Sequence, residues 1–232
     1  MATHMHNFDA AKNISSHRTL RARHVQTRTS ARFYRDYLKR GLDIAFILLT
    51  LPVAVPLIAV LALIAARDGA SPFYRQSRVG RNGVTFTMFK IRTMVNDADD
   101  RLETYLADNP SASVEWDSTQ KLKHDPRITS IGHFMRRSSL DELPQLWNVL
   151  RGDMSLIGPR PMMVSQQSLY PGRSYYEMRP GITGLWQVSD RNESTFADRA
   201  RFDTRYVETL SFKNDLMILF KTVGAVLRCT GH

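Results

Sequence analysis

Two adjacent carboxylates, Asp141 and Glu142, are the residues whose types and spacing are best suited to chemistry. They lie in the segment 139–145, and Arg136 and Arg137 come just before it. One carboxylate of such a pair can attack phosphorus while the other binds a divalent metal, and nearby arginines can neutralise phosphate oxygens. Adjacent acids flanked by cations are therefore suited to chemistry on a diphosphate.

The same two acids also have a structural explanation, as caps of a helix. Ser139 with Glu142 three residues later matches a capping box, and Asp141 as the N-cap would place Pro144 in the first turn, where proline is tolerated. The explanations are compatible, because a helix N-terminus also attracts phosphate. Residue types alone leave both open.

Two further cations lie in segments with their own structural signals. Lys90 projects from residues 84–91, whose alternation predicts a short strand, although a solvated surface charge is the simpler explanation. Arg160 lies between Pro159 and Pro161, which stiffen the backbone and reduce the entropy that its guanidinium loses on binding. The alternative for Arg160 is an ordinary proline-rich surface loop.

Composition limits the classes of function. The 232 residues carry a net charge of +10, and about +7 of it comes from nine Lys/Arg and two Asp in residues 1–40. The rest of the chain is only mildly basic, which argues against nucleic-acid binding by the folded part. The single cysteine, Cys229, excludes an intramolecular disulfide and fits a cytosolic domain.

The chain divides into three parts on composition. Residues 1–31 are rich in Arg, Ser, Thr and His without apolar periodicity, which predicts a disordered basic tail. Residues 32–70 contain an uncharged run, 44–66, long enough to cross a bilayer. Residues 71–232 have the turn signals and mixed patterning of a folded cytosolic domain.

The apolar run carries features that are unusual for a simple span. Pro52 and Pro56 lie near its middle and predict a break in the helix. Basic residues flank both of its ends, and positive charge favours the cytoplasmic side for each flank. A re-entrant helix, which enters and leaves one leaflet, satisfies both tendencies. A proline-kinked spanning helix and a buried core helix remain alternatives.

The third part predicts a mainly α fold with short β segments, an α+β class. Residues 96–106 indicate a polar helix, whose acids suit a helix N-terminus better than a calcium loop. Residues 196–228 predict two helices with apolar faces edged by cations. Such helices either lie in the membrane interface or pack on the domain, and both readings stay open.

Several separated motifs, in order, resemble the bacterial sugar transferases. These are monotopic phosphoglycosyl transferases that load a sugar phosphate onto polyprenyl phosphate, and the chain is most similar to members that initiate exopolysaccharide synthesis. The motifs that follow the proline-containing helix are FKIRTM (89–94), DPRIT (125–129), SLDELPQ (139–145), RGDMSLIGPRP (151–161) and RPGITG (179–184).

The resemblance implies roles for the residues named above. Asp141 would be the nucleophile that takes the sugar phosphate from a UDP-sugar and releases UMP, with Glu142 as the Mg²⁺ ligand. Lys90, Arg136 and Arg160 would be phosphate-handling cations. The chain departs from the family pattern at His133, where Arg or Lys is common, and at 189–191, where Ser-Asp-Arg replaces Ser-Gly-Arg.

The resemblance also implies a location and partners. The helix would break at Pro52 and Pro56 inside the cytoplasmic leaflet of the bacterial inner membrane, where a UDP-sugar meets polyprenyl phosphate. Galactose or glucose is the expected sugar, and the oligomeric state stays open. The competing hypothesis is a non-catalytic membrane-anchored module that binds anionic lipid or nucleic acid through its basic tail.

Overall fold

The computed structural model describes residues 33–119, 122–189 and 195–227. The basic tail at 1–31, Cys229 and the departure at Asp190 and Arg191 lie outside the described residues. The described α-helices are α1 (Lys39–Ala65), α2 (Ala98–Asp108), α3 (Pro110–Thr119), α4 (Ser130–Arg137), α5 (Gln145–Arg151), α6 (Ser174–Glu177), α7 (Arg199–Glu208) and α8 (Phe212–Leu227). The described strands are β1 (Phe73–Val79), β2 (Thr85–Ile91), β3 (Ser155–Ile157) and β4 (Gly181–Thr183).

The helix α1 contains the apolar run and is preceded by a π-helical turn, Tyr34–Leu38. The helix includes both Pro52 and Pro56, and a bend at these prolines stays a prediction. Each proline removes one backbone donor from the helix. Among the described residues, this helix with its flanks is the one long and apolar enough to cross a membrane.

One side of α1 packs against the rest of the chain along its whole length. Its buried positions are Lys39, Asp43, Ile47, Ala54 and Leu61, which recur at intervals of four and seven residues and so share one side of the helix. Most of the helix surface stays open, since 22% of its most apolar 18-residue window is buried. The open apolar side is what distinguishes α1 from a core helix of a soluble domain.

An antiparallel hairpin follows α1 and carries the first functional residues. β1 pairs with β2 in a register that sets Tyr74 opposite Lys90 and Arg75 opposite Phe89. Asn82, with φ of +59°, lies in the turn between the strands. The prediction of a short strand at 84–91 is thus confirmed, with a start at Thr85.

The remaining elements surround the hairpin and α1. Helix α2 confirms the polar helix expected at 96–106, and Pro110 begins α3 at a first-turn position that tolerates proline. β3 and β4 pair in parallel, with Ser155 opposite Gly181 and Ile157 opposite Thr183. The motif at 179–184 therefore supplies a strand. Gly181 permits this approach, because a Cβ there would lie 2.1 Å from the backbone N of Gly158.

Two of the buried apolar clusters join α1 to the domain. Ile47 packs with Met88, Val149 and Met154, which belong to β2, α5 and the loop before β3. Further along, Leu61 of α1 packs with residues of β2 and α4. The predicted class, mainly helical with short strands, is confirmed, and α1 is part of the domain core on one side.

Candidate active site

The acid pair lies on a single 3-10 turn, Leu140–Glu142, between α4 and α5. Ser139, the residue before this turn, has φ of +57° and its side chain caps no backbone N–H. Helix α5 begins only at Gln145, after Pro144, so Asp141 is not its N-cap. The capping explanation of Ser139 and Asp141 is therefore wrong, and the carboxylates of Asp141 and Glu142 are not used as helix caps.

Lys90 of β2 brings a positive charge to both carboxylates. Its Nζ lies 2.6 Å from Glu142 Oε1 and 3.8 Å from Asp141 Oδ2. All three side chains are largely buried, and Asp141 is 7% exposed. Lys90 is therefore not the solvated surface charge of the simpler explanation. At this burial a charge-assisted contact is stronger than the same pair would be in water.

The two acids differ in the direction of their pKa shifts. Burial raises the pKa of Asp141, and the charge of Glu142 adds to that rise, while Lys90 and Arg136 oppose it. Burial also pushes the pKa of Glu142 upward, but Lys90 and Arg160 outweigh it and hold that pKa below its usual range. Neighbouring titratable groups with opposed shifts are a feature of active sites.

Arg136, near the end of α4, is fixed by Thr93. Arg136 Nε donates a hydrogen bond of 2.8 Å to Thr93 Oγ1, just after β2. The helix α4 that carries Arg136 approaches this segment closely at Gly132, where a Cβ would lie 2.1 Å from the carbonyl oxygen of Thr93. Burial lowers the pKa of Arg136, and the charge of Asp141 opposes that shift.

These groups line a cleft of about 690 Å³, large enough for a nucleotide-sized ligand. Asp141 lies in its wall with the cations Lys90, Arg136, Arg78 and Arg127. A buried carboxylate in a cleft lined by cations can approach a polyanionic ligand, because the cations offset the charge repulsion. The cleft thus suits a diphosphate with a nucleophilic acid beside it.

Arg160 lies near Glu142 and lines a different cavity from the cleft that Asp141 lines. It lines a small cavity with Lys90, Glu142 and Arg78, and its guanidinium lies 5.8 Å from the ring centroid of Trp186. Its charge lowers the pKa of Glu142. The loop around Arg160 is closely packed at Gly158, where a Cβ would lie 2.4 Å from the carbonyl oxygen of Arg179. This position fits a functional role better than a free surface loop.

Asn148 holds β2 and α5 at the distance that brings Lys90 to Glu142. It is fully buried, its Oδ1 accepts from the N–H of Phe89 at 3.1 Å, and its Nδ2 donates to the carbonyl of Thr87 at 2.7 Å. The Asn148 amide therefore pairs with the edge of β2 as a neighbouring strand would. Buried backbone groups need such partners, so Asn148 fixes the register between the two elements.

At this site, Asp141 and Glu142 are the described side chains suited to bind a divalent metal. In the ranges that the structure describes, no group of three His, Cys, Asp or Glu side chains could hold a metal ion. Mg²⁺ commonly binds one or two carboxylates and completes its shell with water and substrate phosphates. Asp141 and Glu142 meet that requirement only together with a phosphate ligand.

Comparison with known proteins adds a family to this geometry. Residues 34–229 match the family model described as "Bacterial sugar transferase". The chain is 45% identical over 196 residues to the exopolysaccharide production protein ExoY of Sinorhizobium fredii, covering 83% of this chain and 87% of that protein. The chain belongs to the bacterial sugar transferase family. This confirms the resemblance drawn from the motifs and the expected class, a sugar transferase.

Two longer relatives match this sugar transferase over part of their length. It is 49% identical over 197 residues to the UDP-galactose-lipid carrier transferase of Erwinia amylovora and 46% identical over 220 residues to the undecaprenyl-phosphate galactose phosphotransferase of Salmonella typhimurium. These matches cover 84% and 94% of this chain. The chain spans 41% and 46% of the length of those two relatives.

The predicted site residues of this sugar transferase come together in space. Lys90 contacts Glu142 and lies 3.8 Å from Asp141. The charge of Arg136 lowers the pKa of Asp141, and the charge of Arg160 lowers the pKa of Glu142. The metal role of Glu142 and the nucleophilic role of Asp141 stay predictions.

Three other residues at the site were not predicted: Arg78, Arg199 and Asn148. Their signal in the sequence is weak, because each reaches the site across a long stretch of chain.

Proposed function

We propose that this protein transfers a hexose-1-phosphate from a UDP-sugar to polyprenyl phosphate, in the form of undecaprenyl phosphate, and releases UMP. The observation that carries the proposal is Asp141, a buried carboxylate in the wall of a cation-lined cleft and 3.8 Å from Lys90. The names of the relatives, which refer to UDP-galactose, lipid carriers and undecaprenyl phosphate, support it. The reaction would be the first step of exopolysaccharide synthesis.

The reaction proceeds in two displacements at one phosphorus atom. A carboxylate oxygen of Asp141 attacks the β-phosphorus, and the bond from that phosphorus to the oxygen bridging it to the α-phosphate breaks. UMP leaves with the bond's electron pair, and an aspartyl phosphosugar remains. An oxygen of the polyprenyl phosphate then attacks the same phosphorus, and the Asp141 carboxylate leaves in its original ionised form.

The cations around the acids have separate tasks in this scheme. Arg136, oriented by Thr93, lies on the side of Asp141 and offsets charge on the phosphoryl group under attack. Lys90 holds Glu142 ionised and reduces repulsion between the acid pair and the diphosphate. Arg160 lies on the side of Glu142, where it suits a further phosphate oxygen.

Magnesium fits this proposal as a cofactor held through Glu142. The ion would complete its coordination with water and phosphate oxygens, since the described part of the chain offers no third carboxylate at the site. When bound, it supplies Lewis-acid stabilisation of negative charge on the diphosphate. The ion pair of Glu142 with Lys90 means that the lysine and the ion compete for the same carboxylate.

We further propose that α1 is re-entrant and keeps both ends at the cytoplasmic face of the bacterial inner membrane. At its start, Lys39 Nζ lies 2.7 Å from Asp215 Oδ2 of α8, and Asp43 accepts from Ser155 Oγ at 2.7 Å. At its C-terminal end, the carbonyl of Ala65 accepts a hydrogen bond of 2.6 Å from Arg92 of the domain. Polar contacts at both ends of α1 therefore hold it to one domain.

These contacts favour one-sided insertion over a span. A spanning helix would have to separate its two ends across a bilayer core of about 30 Å, which would break the polar contacts at one end. The apolar side of α1 that faces away from the domain remains available to lipid, including Leu49 and Val53. Helix α8 adds exposed apolar residues, among them Phe212 and Phe220, suited to the membrane interface.

The experiment that tests the function is UMP release by the full chain in lipid with UDP-galactose or UDP-glucose and polyprenyl phosphate. We expect Asp141→Asn to abolish release while membrane binding is unchanged. Asp100→Asn, on the exposed surface of α2, is the matched control and should keep wild-type release. Release by Asp141→Asn at the wild-type rate would contradict the role of Asp141. Absence of release by the wild-type chain would leave the non-catalytic membrane module as the better explanation.

A further inference from the structure

Three arginines from distant parts of the chain lie together near Trp186 and the small cavity that Glu142 lines. They are Arg78 of β1, Arg160 of the loop after β3, and Arg199 at the start of α7. The guanidinium groups of Arg160 and Arg199 both lie over the ring of Trp186, at 5.8 and 4.3 Å from its centroid. The charge of Arg160 acts on both other arginines, so the three form one electrostatic cluster.

The charges of this arginine cluster are not directly neutralised. In 33–119, 122–189 and 195–227, none of the three arginines lies within 4.0 Å of a carboxylate oxygen, and the nearest acids are engaged elsewhere. Glu142 contacts Lys90 at 2.6 Å, and Asp203 accepts from the hydroxyl of Tyr170 at 2.8 Å. Like charges held together in a partly buried place cost free energy.

Unused hydrogen-bonding groups point to a missing ligand at the same place. The Nε atoms of Arg78 and Arg199 are buried and have no hydrogen-bond partner. Gln145 is 2% exposed and lines the small cavity with Arg78 and Arg160, and within the described residues its amide makes no side-chain hydrogen bond. Buried donors normally have partners, so a ligand with acceptor oxygens would remove this deficit.

Burial lowers the pKa of Arg199 to about 10, with Arg160 as the next cause. An anion bound between the two would relieve this repulsion. Among anions, a phosphate group matches the planar guanidinium fork, since two parallel N–H groups can reach two of its oxygens.

We propose that Arg78, Arg160 and Arg199, with the amide of Gln145, form a second phosphate-binding site beside the acid pair, for the phosphate that Asp141 does not attack. The inference rests on the proposed function, in which two phosphate groups other than the attacked one come to the site. One is the phosphate that leaves on the uridine nucleotide, and the other is the terminal phosphate of the lipid acceptor. Both present the same chemistry to the cluster.

A binding cluster and a packing cluster have opposite consequences for stability. If the guanidinium of Arg199 is held for a ligand, Arg199→Gln removes repulsion, and the melting temperature of the ligand-free protein stays the same or rises. If it serves only to pack on Trp186 and Phe196, from which it lies 4.3 and 4.9 Å, the same change lowers the melting temperature. Arg199→Lys keeps the charge but loses the planar fork.

The test measures binding of UMP and, separately, farnesyl phosphate to the full chain in lipid nanodiscs. We expect Arg199→Gln to raise the Kd of at least one ligand about tenfold, as the loss of one charge-assisted contact predicts. The ligand that loses affinity identifies the phosphate bound by the cluster. Arg201→Gln, on the same helix with its side chain 80% exposed, is the matched control and should leave both constants unchanged.

Unchanged Kd values for both ligands in Arg199→Gln would overturn the inference, whatever happens to the melting temperature. Unchanged Kd values in Arg160→Gln would overturn it a second time, with a different arginine of the cluster. The proposed function has its own test, UMP release that depends on Asp141. If that release stands while both arginine variants bind normally, only the second phosphate site fails.

Discussion

Lys90 contacts the two neighbouring carboxylates unequally, with Nζ 2.6 Å from Glu142 Oε1 and 3.8 Å from Asp141 Oδ2. The closer acid has its pKa held below the usual range, whereas burial raises the pKa of the farther one. Glu142 is thereby kept ionised and holds the lysine closely, whereas Asp141 has only the longer contact with it. This difference fits a nucleophile beside a fixed negative partner.

Removal of the lysine charge should destabilise the protein at neutral pH. In Lys90→Gln, two buried acids lose their shared cation, and breaking a buried pair typically costs about 3 kcal/mol. The lowered pKa of Glu142 gives stability that is present above its unfolded pKa, about 4.3, and is lost as the pH falls. The deficit of Lys90→Gln in melting temperature should therefore be large at pH 8 and shrink below pH 4.

Lys123→Gln, an exposed lysine, is the control for the loss of one positive charge. It should show no comparable deficit at either pH. A deficit of Lys90→Gln that does not shrink as the pH falls below 4 would contradict the electrostatic role of Lys90.

Asp203 gives a pH dependence of the opposite sign. Burial raises its pKa to about 6, against the hydrogen bond from Tyr170 and the charge of Arg199. Stability from the protonated acid is present below its unfolded pKa, near 4, and is lost as the pH rises through 6. We expect Asp203→Asn to be more stable than wild type at pH 8, by up to about 3 kcal/mol, and equal to it near pH 4.

Thermal unfolding of both proteins across this pH range measures the difference. The control is Asp198→Asn, because hydrogen bonds from Thr195 lower the pKa of that exposed acid. It should lose rather than gain stability at pH 8. An Asp203→Asn variant less stable than wild type at pH 8 would show that the charged form is favoured in the fold.

The substitution Gly132→Ala tests whether UMP release depends on the position of Arg136. In Gly132→Ala the new Cβ would lie 2.1 Å from the Thr93 carbonyl oxygen, so α4 must shift from the segment that fixes Arg136. We expect UMP release to fall at least tenfold, since a shift of about 1 Å at a catalytic group can cost more than that.

Gly224→Ala is the matched control, because a Cβ at Gly224 has no atom within 4 Å. That variant should be neutral or slightly more stable, as alanine is the better helix former. Wild-type release by Gly132→Ala would mean that the site does not depend on the approach of α4 to Thr93.

The topology of α1 can be tested with single cysteines in a Cys229→Ser background. Tyr37→Cys and Ser71→Cys lie on the exposed surface before and after the helix, and Leu49→Cys lies on its exposed apolar side. In membranes we expect the first two to react with an impermeant thiol reagent from the cytoplasmic side and Leu49→Cys to be protected. Reaction of Tyr37→Cys and Ser71→Cys from opposite sides would establish a span.

Local signals were sufficient to predict part of the fold and of the site. The alternation at 84–91 gave the strand that carries Lys90, and the polar pattern at 96–106 gave α2. The acid pair was recognised from two adjacent residues with cations nearby, a feature that needs no knowledge of the fold. Each of these predictions depends on neighbours within about ten residues.

Long-range packing accounts for what the sequence did not predict. Pro52 and Pro56 disfavour helix by a local rule, yet α1 includes both of them, and one of its sides packs on the domain. Asp141 was a plausible cap until its turn proved separate from α5. Asn148 pairs with backbone some 60 residues away, so neither its partners nor its role is encoded in nearby spacing.

Covalent labelling of Asp141 is the most direct test of the account. The full chain in lipid, incubated with a UDP-sugar labelled in the β-phosphate and no lipid acceptor, should release UMP once per molecule and retain the label. Peptide mass spectrometry should place a hexose phosphate on Asp141, and polyprenyl phosphate should discharge it. Turnover without any adduct on Asp141, or with an adduct on another residue, would contradict the central claim.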